Sequence, residues 1–92
     1  MVIKVVILLK MNEINSVKQK RNILSGLFKK VRMRYNVSCI ELSDLDEKYF
    51  IKLGFVGIGQ HYNQVHKMMD KIIGFIDQFY EFEIIDIEFT EY

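Results

Sequence analysis

Hydrophobic and polar residues follow two periods along this chain, and the changes of period divide it into six elements. Residues 2–9 are apolar except for Lys4 and rich in β-branched side chains, which is typical of a central strand covered on both faces. Ser16 suits an N-cap position, and apolar residues then recur at helical spacing to about Arg34. Asn36 suits the helix end, because asparagine tolerates the left-handed conformation of many caps.

The rest of the chain continues the pattern with two strands, a helix and a final strand. Residues 37–42 predict a short strand, residues 43–47 an acidic turn, and residues 49–58 a longer strand. A second helix begins near residues 61–63 and carries apolar residues at helical spacing. The last strand, residues 82–92, alternates three apolar residues with three polar ones: Ile85, Ile87 and Phe89 with Asp86, Glu88 and Thr90.

The order βαββαβ predicts a ferredoxin-like α+β fold. Right-handed crossovers then place both helices on one face of a four-stranded antiparallel sheet, with the first and third strands in its centre. The 92 residues contain no proline and no linker-like stretch, so we expect a single domain over residues 1–92.

Both central strands are apolar on their two faces, although helices cover only one. If Ile3, Val5 and Ile7 face the helices, an outward apolar set remains: Val2, Val6, Leu8, Phe50, Val56 and Ile58. Soluble monomers seldom expose several hundred Å² of contiguous apolar surface. The pattern therefore predicts a homodimer through the sheet face that no helix covers, with these residues at its interface: Val6, Leu8, Phe50, Val56 and Ile58.

Two lysines of the central strands and two acids of the last strand belong to the same predicted face. Lys4 and Lys52 would lie there and could meet Asp86 and Glu88, in the same sheet or in the partner's. A bulge near Gly54 would exchange the two faces, because a shift of one residue turns every side chain over.

The charge changes this picture, because it is distributed unevenly. The net charge is +1, yet the chain through Asn36 has nine Lys and Arg against one acid, a net +8. From Val37 onward four lysines face eleven acids, a net −7. Such asymmetry indicates an anionic partner or self-association.

The basic excess is concentrated in the first helix, which has seven cations and no acid. At about 100° per residue, Lys18, Arg21, Lys29 and Arg32 fall within about 80° of one another, beside the apolar stripe. One interpretation is a solvated face whose cations pair with acids of other elements. The other is contact with phosphates, with these candidate nucleic-acid-binding residues: Lys18, Lys20, Arg21, Lys29, Arg32 and Arg34.

Two segments resemble a known family. Residues 16–21, SVKQKR, and residues 32–38, RMRYNVS, are similar to the motifs that begin and end the first helix of the YlxP-like family of small bacterial proteins. The resemblance covers essentially the whole chain. It implies a ferredoxin-like α+β fold and no established activity. The family's genes tend to lie among translation and ribosome-maturation genes, which suggests ribosomal or other RNA as a partner.

No motif predicts an enzyme. The chain has no arrangement of Ser, His and Asp or of Cys and His that would support nucleophilic catalysis, so we expect no catalytic residue, cofactor, metal or small-molecule substrate. Gly57 and Gly59 have the spacing of the first two glycines in a G-x-G-x-x-G nucleotide-binding loop, but Tyr62 occupies the position of the third. His61 and His66 are five residues apart, which favours a surface histidine and a His66–Asp70 helical pair over a metal site.

The remaining features concern the compartment. Cys39 is the single cysteine and cannot form an internal disulfide, which is typical of a reducing cytoplasm. Residues 2–9 are too short to cross a bilayer, which needs about 20 residues, so no membrane association is expected. The sequence thus predicts a cytoplasmic, non-enzymatic binding protein that contacts RNA or ribosomes through its basic first helix. The alternative is a self-associating structural or regulatory protein that uses this helix for protein contacts.

Overall fold

The computed structural model describes residues 1–13 and 15–92. Its elements follow the predicted order βαββαβ, and the first strand extends two residues beyond Leu9. The strands and helices are β1 (Val2–Met11), α1 (Val17–Arg34), β2 (Val37–Glu41), β3 (Phe50–Ile58), α2 (Tyr62–Asp77) and β4 (Phe82–Glu91).

The four strands form one antiparallel sheet in the order β2-β3-β1-β4. β1 and β3 are therefore central and β2 and β4 are edges, with both helices packed on one face. This confirms the ferredoxin-like α+β fold. The central pair is regular from Val2↔Ile58 to Lys10↔Phe50, so the bulge considered near Gly54 does not occur.

Side chains of the central strands alternate between the two faces as the sequence predicts. The helix-facing residues of β1 and β3 are buried: Ile3, Val5, Ile7, Leu9, Met11, Ile51, Leu53 and Phe55. With Leu24, Leu27 and Val31 of α1 and the buried side of α2 they make the core. The other face, formed by the alternate residues, is covered by no helix, and we call it the open face.

Helix α1 begins at the predicted cap but ends differently from the expectation. The Ser16 hydroxyl accepts a hydrogen bond from the Gln19 backbone N–H at 3.1 Å, which satisfies one free donor of the first turn. At the other end Tyr35 is extended, at φ −131°, and its N–H bonds the Val31 carbonyl at 2.8 Å. The left-handed cap expected at Asn36 is wrong: among the described non-glycine residues only Glu13 has positive φ.

Helix α2 packs through one apolar side. Val65, Met69, Ile72 and Ile76 recur at helical spacing and are buried. Neither α1 nor α2 is long and apolar enough to span a membrane, within the part of the chain that the structure describes.

Strand β4 contains the one irregularity in the pairing of β1. Leu8 pairs with Asp86 but Leu9 pairs with Ile84, so Ile85 is an extra residue in a β-bulge. The simple alternation expected for this strand is therefore wrong at Ile85, which is exposed while Ile84 packs against the core. Asp86 and Glu88 keep their predicted place on the open face.

Two glycines test how tightly the helices and the sheet pack. A Cβ at Gly26, inside α1, meets no atom within 4 Å. Gly26→Ala is therefore expected to raise the free energy of unfolding by about 0.5–1 kcal/mol, as alanine favours a helix. A Cβ at Gly59 would lie 2.7 Å from Cγ2 of Val65, a buried β-branched side chain that cannot turn away. Gly59→Ala should therefore lower the free energy of unfolding by about 1–3 kcal/mol.

Urea unfolding followed by circular dichroism measures both changes against the wild type. Shifts of the same sign for the two alanine variants would contradict this description of the packing.

Candidate nucleic-acid interface

Four cations of α1 form an exposed row along the helix. Lys18, Arg21, Lys29 and Arg32 are all exposed, beside the buried stripe that contains Leu24, Leu27 and Val31. Their spacing places them within about 80° on the helix surface. We call this row the basic strip. The structure thus brings together four of the six candidate nucleic-acid-binding residues.

No acid neutralises the basic strip among the described residues. The ion pairs within 4.0 Å in this part of the chain are Lys20–Glu41 and His66–Asp70, and neither involves the strip. Most acids of the second half of the chain lie instead on β4, in the loop after β2 and on α2. A row of unpaired cations repels itself, so the strip has an unfavourable charge distribution that an anionic partner would relieve.

Arg32 is the member of the strip with the best-defined position. Its Nη2 donates a hydrogen bond to the Cys39 carbonyl of β2 at 2.9 Å, and its guanidinium lies 5.5 Å from the ring centroid of Phe28. The side chain therefore bridges α1 and the edge strand β2, and its guanidinium is held in place at the margin of the strip.

Two further cations of α1 lie outside the strip, on the side towards α2. The ammonium of Lys30 lies 5.8 Å from the ring centroid of Phe79, and the guanidinium of Arg34 lies 5.4 Å from that of Phe75. Both contacts are of the cation–π type, worth about 0.5–1 kcal/mol at exposed sites. Arg34 is exposed, but the structure places it apart from the other candidates.

Lys20 is buried, and the structure corrects its prediction as a nucleic-acid-binding residue. Its side chain is 0% exposed, and Nζ donates to Glu41 Oε2 at 3.0 Å and to the carbonyls of Leu45 and Glu47 at 2.9 and 2.7 Å. An ammonium surrounded in this way cannot reach a phosphate. The sequence contained a signal for this burial, because position 20 lies one helical turn before Leu24 on the apolar stripe.

The same ammonium orders the acidic turn that follows β2. Glu41 Oε2 also accepts a hydrogen bond from the Ser43 hydroxyl at 2.6 Å, and Oε1 of Glu47 accepts from the backbone N–H groups of Tyr49 and Phe50. These two backbone bonds lower the pKa of Glu47 below its usual value. The turn is thus a fixed structure built around Lys20.

A groove runs between α1 and the edge strand β2, beside the basic strip. Its volume is about 370 Å³. Arg21, Phe28 and Arg32 line it from the helix, Cys39 lines it from β2, and Leu45 of the acidic turn also lines it. Burial raises the pKa of the Cys39 thiol, against the opposing effect of the Arg32 charge. The groove is therefore apolar inside and basic at its rim.

The open face holds the second set of predicted residues. Phe50, Val56 and Ile58 are exposed there, Ile58 to 68%, while Val6 and Leu8 are half-buried between their neighbours. Two more apolar side chains, which the sequence analysis did not include, adjoin them: Ile40 and Leu42, exposed to 61% and 52%. Gly54 leaves room for Leu42, since a Cβ there would lie 2.9 Å from Leu42 Cδ1.

Charged side chains border this apolar surface in an ordered way. Leu8 pairs with Lys52 on one side and with Asp86 on the other, and Val6 pairs with Glu88. Lys4 pairs with Val56, and its ammonium lies 5.9 Å from the ring centroid of Tyr92. At the level of Leu8, the open face is therefore basic on the β3 side, at Lys52, and acidic on the β4 side, at Asp86.

The predicted His66–Asp70 pair is present on α2. His66 Nδ1 lies 3.2 Å from Asp70 Oδ2, and its ring stacks on Phe89 of β4 with centroids 4.9 Å apart and planes 8° from parallel. This contact fastens α2 to β4. It lies on a different part of the molecule from the basic strip.

Comparison with known protein families now places the chain. Residues 2–89 match the profile of a family described as a protein of unknown function (DUF503). The chain belongs to this family. Comparison with curated proteins gave no match. The DUF503 description assigns no activity, so the function has to be argued from the surfaces described above.

Replacing Lys20 tests its place in the structure. In Lys20→Met the Glu41 carboxylate, 9% exposed, and the loop carbonyls lose their donor, and we expect the free energy of unfolding to fall by about 3–5 kcal/mol. Lys18→Met, two residues away on the exposed strip, is the matched control and should change it by no more than about 0.5 kcal/mol. Urea unfolding measures both, and equal small effects would contradict the buried role of Lys20.

Proposed function

We propose that this protein is a non-enzymatic RNA-binding protein that places the basic strip of α1 against RNA phosphates. The observation that carries the proposal is the strip itself: four exposed cations in one row, with no carboxylate within 4.0 Å among the described residues. Had the cations paired with acids of other elements, a solvated face would explain them. Among the cations of α1, in the described part of the chain, only Lys20 pairs in this way, and it is not part of the strip.

The physical basis of the binding is the release of counterions. Each phosphate that a lysine or arginine neutralises frees a condensed cation, so affinity falls as salt rises. Four such contacts give a slope of log K against log salt of about −3 to −4, depending on strandedness. Lys18 and Lys29 act as mobile point charges, whereas Arg21 and Arg32 offer planar groups that suit phosphate oxygens.

The target and the compartment follow from the family resemblance. The motifs in residues 16–21 and 32–38 support assigning the chain to the YlxP-like members of the family, whose genes tend to lie among translation genes. On that basis we propose ribosomal RNA as the target and the cytoplasm as the compartment. Buried Cys39, the single cysteine, agrees with a reducing compartment.

Charge reversal in the strip tests this function. Lys18→Glu/Lys29→Glu leaves Arg32 and its bond to Cys39 in place, and it should lower the affinity for fragments of ribosomal RNA at least about tenfold. It should also make the salt slope shallower by about two. Lys67→Glu/Lys71→Glu is the matched control, because it changes the charge equally at exposed positions of α2.

Fluorescence anisotropy at about 50 and 200 mM salt measures both quantities. The wild type should lose about 50- to 150-fold in affinity between the two conditions. Equal losses in the two charge-reversed variants, or no binding by the wild type, would contradict the proposed function.

A second candidate function, self-association, is favoured by the open face. Five apolar side chains there are at least 39% exposed in the single chain: Ile40, Leu42, Phe50, Val56 and Ile58. Two-fold dimers are the commonest closed assembly, and pairing of two open faces would cover this surface. We propose a homodimer in which the sheets pack face to face, which also doubles the basic surface that RNA would meet.

The charges on the open face favour one dimer geometry. A two-fold axis lying in the interface along β1 would set β3 of each copy over β4 of the other. Lys52 would then meet Asp86 of the second copy, whereas within one chain the two residues are separated by two strand spacings, about 10 Å. An axis across the strands would instead oppose like charges.

The molecular mass in solution tests this dimer. We expect size-exclusion chromatography with light scattering to give twice the 11.0 kDa chain mass for the wild type. Val56→Glu should yield monomers, because it buries an unpaired charge. Tyr80→Glu, at an apolar residue exposed away from the open face, is the control.

Lys52→Glu should weaken the dimer, and Lys52→Glu/Asp86→Lys should restore it. A monomeric wild type would contradict the dimer, and a failure of the double variant to recover would contradict the proposed axis.

A further inference from the structure

We propose that the groove between α1 and β2 takes an unstacked base of single-stranded RNA while the basic strip holds the neighbouring phosphates. The inference rests on the RNA-binding function proposed above and names the form of RNA that the site takes. The groove opens beside the strip, so a strand whose phosphates follow Lys18 and Lys29 would bring its bases to the groove between Arg21 and β2.

The volume and lining of the groove suit a flat aromatic group. About 370 Å³ lies at the lower end of the range of small-molecule pockets, about 300–1,000 Å³. Its walls include Leu24 and Phe28 of α1, apolar residues that exclude water from the face of a base. Glu41, the one acid of its lining, already pairs with Lys20 and accepts from Ser43, so its charge is compensated.

Arg32 supplies a surface on which a base can stack. Its guanidinium is held between the Cys39 carbonyl, at 2.9 Å, and the Phe28 ring, at 5.5 Å. When a base stacks on an arginine side chain, that side chain normally has to become ordered first, and this ordering costs conformational entropy. Here the ordering is complete before RNA arrives, and stacking on arginine planes is a common mode of single-strand recognition.

The edge of β2 supplies hydrogen-bonding groups to the same groove. Leu42 N–H bonds the Lys52 carbonyl at 2.7 Å, which fixes the alternation of the β2–β3 ladder. In that alternation Cys39 and Glu41 turn their backbone N–H and C=O groups away from β3, towards the free edge. Arg32 takes the Cys39 carbonyl, so the polar edge of a base in the groove would lie against the Cys39 N–H and the Glu41 N–H and C=O.

The same geometry disfavours the two other extended occupants. A peptide adding a strand to β2 would need the outward Cys39 carbonyl as an acceptor, and Arg32 already occupies it. A double helix would offer the strip its phosphates, but its bases are paired and stacked and cannot enter the groove. A single strand uses both surfaces.

The test compares three forms of one RNA of about 12 nucleotides: the single strand, its duplex with the complementary strand, and the single strand with abasic central nucleotides. Stacking is worth about 1–3 kcal/mol per base, so we expect the duplex and the abasic strand to bind at least about fivefold more weakly. A fluorescent peptide that alternates Glu and Val is the fourth probe.

Two leucine variants locate the effect. Leu45 lines the groove and Leu42, three residues earlier, lies on the open face, and both are more than half exposed. Leu45→Ala should weaken binding of the single strand and leave the duplex and abasic forms unchanged, whereas Leu42→Ala should change none of them.

The outcomes separate this inference from the function on which it rests. Equal affinity for all three RNA forms, still lost on Lys18→Glu/Lys29→Glu, would overturn the groove and keep the RNA-binding function. Loss of affinity in Leu45→Ala only for the peptide would overturn it in favour of strand addition. Absence of RNA binding would overturn both.

Discussion

One buried charge sets the arrangement on which the candidate surfaces depend. The ammonium of Lys20 holds the Glu41 carboxylate and the carbonyls of Leu45 and Glu47, and so it joins the first turns of α1 to the end of β2 and to the loop that leads into β3. An ammonium taken out of water is costly unless every proton finds an acceptor, and this one does. A methionine of similar length would pack there, but the Glu41 carboxylate and the two loop carbonyls would lose their hydrogen-bond donor. The charge therefore specifies which conformation the loop takes, and Leu45 reaches the groove because of it.

Helix α1 has three sides with different surroundings, and each side carries a different type of residue. One side carries Leu24 and Leu27 into the core, a second lays the cations of Lys30 and Arg34 over the aromatic rings that end α2, and a third leaves the basic strip in water. The two cations on the second side are already in contact with aromatic rings of this chain. A total of seven cations therefore overstates the charge available to a partner. Lys18, Arg21 and Lys29 of the strip differ in that neither packing nor pairing within the described residues accounts for them.

The fold could be predicted from the sequence because its determinants are local and periodic. Alternation in β1 and β3 sorted inward from outward residues, and helical spacing gave both helices. The exceptions depend on the tertiary structure. Besides the Glu41 carboxylate, Lys20 bonds backbone carbonyls 25 and 27 residues away, and no side-chain pattern marks a carbonyl. Arg32 likewise bonds the backbone of Cys39. The bulge at Ile85 adds one residue to a strand whose composition is ordinary on either side of it, and Asn36 lost its expected cap because the chain enters β2 in an extended conformation.

The bond from Arg32 to the Cys39 carbonyl has a consequence for the behaviour of the protein at high concentration. An open sheet ends in two edges, and an unguarded edge invites another chain to continue it. On β2 the guanidinium blocks the acceptor at the middle of the five-residue edge. On β4 the bulge at Ile85 bends the ladder, and acids line the strand. Each edge is thus guarded by a different device, and the sheet stops at four strands. Both edges of the sheet are therefore protected by a side-chain contact and a bulge, without a single proline.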